Sequence, residues 1–232
     1  MCTLIVAVRC WEGAPLVVAA NRDERLDRPS APPAWRGPVL APLDLQAGGT
    51  WIGASESRVF AAVTNRFGRP PDPSRRSRGE LVPRALAAPT AEAALDDLRG
   101  IDARAYNGFH LVVADREHAW RLIGDGETLR IDGLPPGVHV VTERSFSAGE
   151  TRRVAWLEPR AEALGRGPEP DDAALSALLS THVEPSFEGT CVHLPEAGYG
   201  TRSSSIVRLA GEGWSWRHAD GPPCVTDYVS IR

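Results

Sequence analysis

Cys2 stands directly behind the initiator methionine in "MCTLIVAVRCW". A methionine followed by a small residue is generally removed, which leaves a cysteine carrying both a thiol and a free α-amino group. Their reference pKa values lie close together, about 8.5 and about 7.7–8.0, so the amine serves as general base for its own thiol near neutral pH. Read blandly, the same cysteine is a small hydrophobe at the start of a strand. Further along, "LVVAANRDER" ends an apolar run in Asn21, Arg22, Asp23 and Glu24. A hairpin of residues 2–11 with 14–22 returns these groups to the chain start, where Asp23 can hold the α-ammonium and Arg22 an anionic group.

Other polar residues also stand at strand ends. Asn65 closes the run "RVFAAVTN", where its amide can donate to a developing oxyanion. Asn107 precedes "GFHLVVAD", and Arg202 lies among glycines and serines in "GYGTRSSSIV". Trp51 follows two glycines in "GGTWIG" and can line a pocket. Each signal alone fits an ordinary strand-to-loop junction.

The elements that must carry these residues follow from periodicity and turn signals. "TLIVAVRCW" and "APLVVAANR" are β-rich runs separated by "EGAP". "DRPSAPPAWRGPVLAP" reads as a Pro-rich loop. Helical spacing begins at "GELVPRALAA" and "TAEAALDDLRG", the second with Thr90 as N-cap and Gly100 as stop. A meander of short strands fills "FHLVVADREHAWRLIGDGETLRIDGLPPGVHVVTE". Two more helices follow, in "GETRRVAWLEPRAEALGR", where Pro159 is expected to end or kink the helix, and in "PDDAALSALLSTHV". "GTRSSSIVRLAGEGWSWRHADG" and "DYVSIR" return to strands, with Trp214 and Trp216 on one side. The order predicts an α+β fold in a single domain, 1–232, of antiparallel sheets with helices on their outer faces.

Composition bounds the function. The chain has 232 residues and a net charge of −4, with all 26 basic residues arginine, so no catalytic lysine exists and a nucleic-acid partner is disfavoured. The four cysteines, Cys2, Cys10, Cys191 and Cys224, show no zinc-type or disulfide-type spacing, and no metal is expected. No apolar run approaches the length of a membrane span, and the expected location is cytoplasmic. The arginines of "NRFGRPPDPSRRSRG" read first as a solvated loop, and second as partners for phosphates or haem propionates.

Taken in order, "MCTL", "AANRDE", "GGTWIG", "AVTNR", "SRGELV", "YNGFHLVVAD" and "YGTRSSS" resemble one family across the whole chain, the Transport and Golgi organisation or NRDE-motif family. The resemblance implies kinship with N-terminal nucleophile hydrolases, hence a four-layer αββα sandwich of two antiparallel sheets. In the related choloylglycine hydrolase and penicillin V acylase group an N-terminal cysteine attacks an amide carbonyl. Carried over, Cys2 matches the nucleophile, Asp23 the carboxylate at the α-amino group, Asn65 the oxyanion donor and Arg202 the site arginine. Asn21, Arg22, Trp51 and Asn107 are substrate-side candidates.

The chain departs from that group twice. Its arginine stands at Arg22, after Ala20 and Asn21, and Thr142–Glu143 occupy the place of an amide that many members carry. The reading is an N-terminal cysteine amidohydrolase acting on a small acylated amide or acyl compound, needing no cofactor. The alternative is a carrier for haem or acyl-coenzyme A in haem or lipid trafficking. Cys2, Cys191, His193 and Tyr199 are the candidate haem ligands, and no spacing singles one out. Oligomeric state is not readable.

Overall fold

The computed structural model describes residues 2–146, 148–149, 152–211 and 213–232. Contacts divide the chain into two compact units, one of the first 28 residues with Pro136–Arg232, the other of Pro29–Pro135.

The first unit holds the predicted hairpin, β1 (Cys2–Trp11) and β2 (Ala14–Arg25). Both are long apolar runs because both their faces are buried: Ile5, Ala7, Val17 and Ala19 on one, Leu4, Val6, Leu16 and Val18 on the other. That pattern replaces the in-out alternation of a half-exposed strand. The second unit holds β3 (Ser30–Arg36), β4 (Val39–Asp44), β5 (Ile52–Ser55) and β6 (Phe60–Asn65), then β7 (Phe109–Ala114), β8 (Ala119–Gly124) and β9 (Leu129–Gly133). These seven form one antiparallel sheet in chain order.

The Pro-rich stretch expected to be a loop is therefore the hairpin of β3 and β4. Prolines are tolerated there because β3 is the sheet edge, and the pairing register slips between Ala31 and Ala34, across Pro32 and Pro33. Helices α1 (Leu81–Leu86) and α2 (Ala91–Leu98) close a core with Val63, Phe109 and Leu111. Thr90 caps α2 as expected, its hydroxyl accepting from the Ala93 N–H at 3.1 Å.

The predicted meander breaks at "GLPPG". Its last strand, β10 (Gly137–Thr142), pairs with β1 in the first unit instead of with β9. Pro135 and Pro136 cannot donate to a ladder, and Gly137 adopts φ +140°, so the chain changes sheets there. β11 (His193–Leu194), β12 (Tyr199–Ala210), β13 (Gly213–Ala219) and β14 (Val229–Ile231) complete that sheet, ordered β10-β1-β2-β12-β13-β14 with β11 beside β12. α3 (Arg152–Gly165) and α4 (Asp172–Leu179) pack on it through Leu157, Ala161, Leu175 and Leu179. Each buried leucine contributes about 1.5–3 kcal/mol. α3 runs through Pro159 to Gly165 rather than ending there. Among the described residues no helix is long and apolar enough to cross a membrane.

Candidate active site

β2 lies between β1 and β12, so its polar end meets both neighbours. Cys2 pairs with Arg22 and Thr3 with Asn21, while Thr201 of β12 pairs with Asp23. Strand alternation puts Cys2 and Arg22 on one face and Thr3, Asn21 and Asp23 on the other. The Asp23 carboxylate thus sits on the face opposite the Cys2 thiol, suited to the main-chain nitrogen at the start of β1. A bulge between Thr201 and Ser203 makes Arg202 the extra residue of β12, a device that re-aims a side chain.

Asp23 is 2% exposed. Its Oδ1 accepts from the Thr201 hydroxyl at 2.7 Å, and its Oδ2 is 3.7 Å from Nη1 of Arg153. Tyr199 donates to its main-chain carbonyl at 2.9 Å. Burial pushes the Asp23 carboxyl up to about 6; the ammonium at the chain's start, Arg153 and Thr201 pull against that rise and Glu143 adds to it. Cys2 keeps a part-open surface, yet protein surrounds its thiol, and this desolvation raises it above the ordinary value. The Asp23 charge adds to the rise, while the ammonium at the chain's start, the Asp23 N–H and the Arg22 guanidinium oppose it. Burial also raises the Tyr199 phenol, so it stays a neutral donor.

Sequence reasoning missed Arg153. It is 1% exposed, with Nη1 donating to Thr3 Oγ1 at 3.1 Å and Nη2 donating to the Phe187 carbonyl. Its own N–H donates to Glu188 at 2.8 Å, and its Nη1 lies 4.0 Å from Glu143. A buried guanidinium thus lies between two buried carboxylates, held by neutral hydrogen bonds and at ion-pair rather than hydrogen-bond distance from both. The signal for it was present: Arg153, Leu157 and Ala161 share one helix face at a spacing of four, and a charge on an apolar face needs a partner.

Several expected contacts have other uses. Both amide hydrogens of Asn21 go to main-chain carbonyls, of Leu179 and Thr190, each at 2.8 Å, and pin the end of α4. The serines after Arg202 are structural: Ser204 meets Tyr228 at 2.5 Å and Ser205 meets His218 at 3.0 Å. Gly200 marks a close approach, since a Cβ there would lie 2.8 Å from the Val192 carbonyl oxygen.

In the second unit, Asn65 is the exposed last residue of β6. Asn107 exchanges two 2.8 Å hydrogen bonds with the backbone of Asp72, and Trp51 is half-buried against that unit's core. The arginine loop folds onto its own surroundings. Arg75 donates to the Tyr106 and Gly126 carbonyls, Arg78 donates to the Gly108 carbonyl, and Arg69 and Arg76 pair with Glu127 and Glu80.

The architecture matches solved N-terminal nucleophile hydrolases. An N-acylethanolamine-hydrolyzing acid amidase ortholog of Caenorhabditis elegans superposes with a TM-score of 0.62 at 14% identity, covering 88% of this chain and 91% of that one. Penicillin V acylase from Agrobacterium tumefaciens gives 0.58 at 14% identity, covering 96% and 93%. The fold is therefore the expected α+β, N-terminal nucleophile hydrolase-like class.

The family model for Transport and Golgi organisation 2 matches residues 1–216, and the chain belongs to that family. The Transport and Golgi organization protein 2 homolog of Homo sapiens is 27% identical over 236 residues, 85% of this chain and 83% of that protein. Its Bos taurus counterpart is 28% identical over the same coverage.

Proposed function

We propose that the chain is an N-terminal cysteine amidohydrolase acting on a small acylated amide. The observation that carries this reading is the carboxylate of Asp23, buried on the face of β2 opposite the Cys2 thiol and one residue beyond the Cys2–Arg22 pair. A carboxylate buried beside the start of β1 suits a cation there. The α-ammonium that forms when the amine freed by removal of the preceding residue takes the Cys2 proton is that cation. With its own amine as base, Cys2 loses its proton and the thiolate attacks the substrate carbonyl carbon. The C–N bond breaks, the amine leaves with the proton, and a thioester remains. Water then adds with the α-amino group again as base, and releases the acid. Arg22 shares the face of Cys2, and Arg202 is re-aimed by its bulge; both are the candidates for holding an anionic part of the substrate. The fold's likeness to two amide hydrolases supports the reaction class.

The test is a panel of chromogenic acyl amides with the processed chain. Turnover lost in Cys2→Ala and kept in Cys10→Ala supports the reading. Turnover kept in Cys2→Ala refutes it. One observation favours the carrier reading of the same fold: with the preceding residue in place, burial holds the Cys2 thiol protonated, and a site without a nucleophile binds without turning over. That reading predicts saturable binding of haem or acyl-coenzyme A that survives Cys2→Ala.

A further inference from the structure

His182, Cys191, His193 and Cys224 come from four places in the first unit: the turn after α4, the segment before β11, β11 itself, and the loop after β13. Their ligand atoms nevertheless lie within 4.8 Å of one another. Nε2 of His193 is 3.4 Å from the Cys191 sulfur and 3.3 Å from the Cys224 sulfur, and the two sulfurs are 3.6 Å apart. The imidazoles of His182 and His193 lie 5.1 Å apart, centre to centre.

We propose that these four side chains form a tetrahedral site for a divalent cation of the zinc class. Zn–S bonds of about 2.3 Å and Zn–N bonds of about 2.0–2.1 Å at tetrahedral angles require S···S of about 3.8 Å, S···N of about 3.6 Å and N···N of about 3.4 Å. The three edges among Cys191, Cys224 and His193 already fall within about 0.3 Å of those lengths; only His182 must draw closer. Two thiolates with two imidazoles are a donor set that selects zinc over harder cations. On binding, the two thiols release their protons to solvent and the histidines bind as neutral rings.

The backbone holds the ligands near one another without the ion. The Thr190 and Cys191 N–H groups both donate to the Thr181 carbonyl, each at 3.1 Å. Ser186 Oγ accepts from the His193 N–H and donates to the His193 carbonyl, each at 3.0 Å. Gly189 permits the approach of the two segments, since a Cβ there would lie 2.8 Å from the Thr181 oxygen. The site is linked to the Asp23 carboxylate through one intervening side chain. Val192, between two of the ligands, donates its N–H to Thr201 Oγ1 at 2.8 Å, and that hydroxyl donates to Asp23. A cation that fixes residues 191–193 therefore steadies the partner of Asp23.

The test uses the full chain, stripped with a chelator under reducing conditions and then offered zinc or cobalt(II). The expected result is about one metal per chain, a cobalt spectrum with intense tetrahedral d–d bands and a near-ultraviolet thiolate charge-transfer band, and a higher melting temperature. His182→Ala and Cys224→Ser, each checked for folding by circular dichroism, should weaken binding at least tenfold. The cobalt spectrum of the unaltered chain decides the matter if either variant fails to fold. A reduced chain that takes up no metal overturns the proposal, as does a cobalt spectrum without the thiolate band. Undiminished binding in both folded variants overturns it too. A chain isolated with a Cys191–Cys224 disulfide that takes up no metal once reduced overturns the proposal and assigns the pair to redox chemistry.

Discussion

Replacing Arg153 with methionine removes one buried charge and leaves two. At an effective dielectric of about 20, the 3.7 Å pair with Asp23 and the 4.0 Å pair with Glu143 each attract by about 4–5 kcal/mol. Burying the guanidinium costs several kcal/mol in return, so the net loss on breaking such a cluster is about 3–5 kcal/mol. For a chain of this size that lowers the melting temperature by about 6–20 °C.

The pH dependence is more diagnostic. In the chain that keeps its first residue, the Asp23 carboxyl is raised from 3.8 to about 6, so between those values the folded chain binds a proton that the unfolded chain has lost. Stability from this group falls as pH rises through that window, by about 3 kcal/mol in total. Without Arg153, which pulls Asp23 down, the window extends above 6 and the loss grows. The deficit of Arg153→Met, measured by urea unfolding, should therefore be smaller by at least about 1 kcal/mol at about pH 5 than at about pH 8. Adding Asp23→Asn should restore part of the stability at the higher pH, because the neutral amide no longer needs the cation. A deficit equal at both pH values, with no recovery in the double variant, would refute the assignment of Arg153 as the counter-charge of Asp23.

Two further perturbations separate framework from chemistry. Asn21→Ala leaves the Leu179 and Thr190 carbonyls without their buried donor and should cost about 2–4 kcal/mol by chemical denaturation; in the variant that stays folded, kcat should change little. Thr90→Ala should cost about 1 kcal/mol through the lost cap of α2, read as a shifted urea midpoint with unchanged turnover and unchanged metal content.

The N-terminal hairpin was legible because two apolar runs flank a short turn and each ends in polar residues. That pattern alone places Cys2 and Asp23 on neighbouring strands. The helices of the second unit were legible for a similar local reason, with Thr90 as N-cap of α2. What escaped was non-local. β3 hides behind prolines that only an edge strand tolerates, and the crossing of β10 to β1 depends on the pairing of segments 129–139 positions apart. Arg153 shows in the sequence only as a charge on the apolar face of α3, and its partners Asp23 and Glu143 become evident once α3 lies on the sheet. The thiols and imidazoles at 182, 191, 193 and 224 follow no repeating interval, since they lie on turns and edges brought together by the fold. Asn21 carries the reverse lesson: its place in the motif suggests substrate binding, while its hydrogens hold the backbone.

The central claim is that Cys2 becomes an N-terminal nucleophile. Intact and peptide mass spectrometry, before and after a brief pulse of a thiol-directed electrophile at neutral pH, tests it most directly. The mature chain is expected to start at Cys2, and this residue to be modified far faster than Cys10, Cys191 or Cys224. A retained first residue, or a Cys2 no faster than the other three, contradicts it.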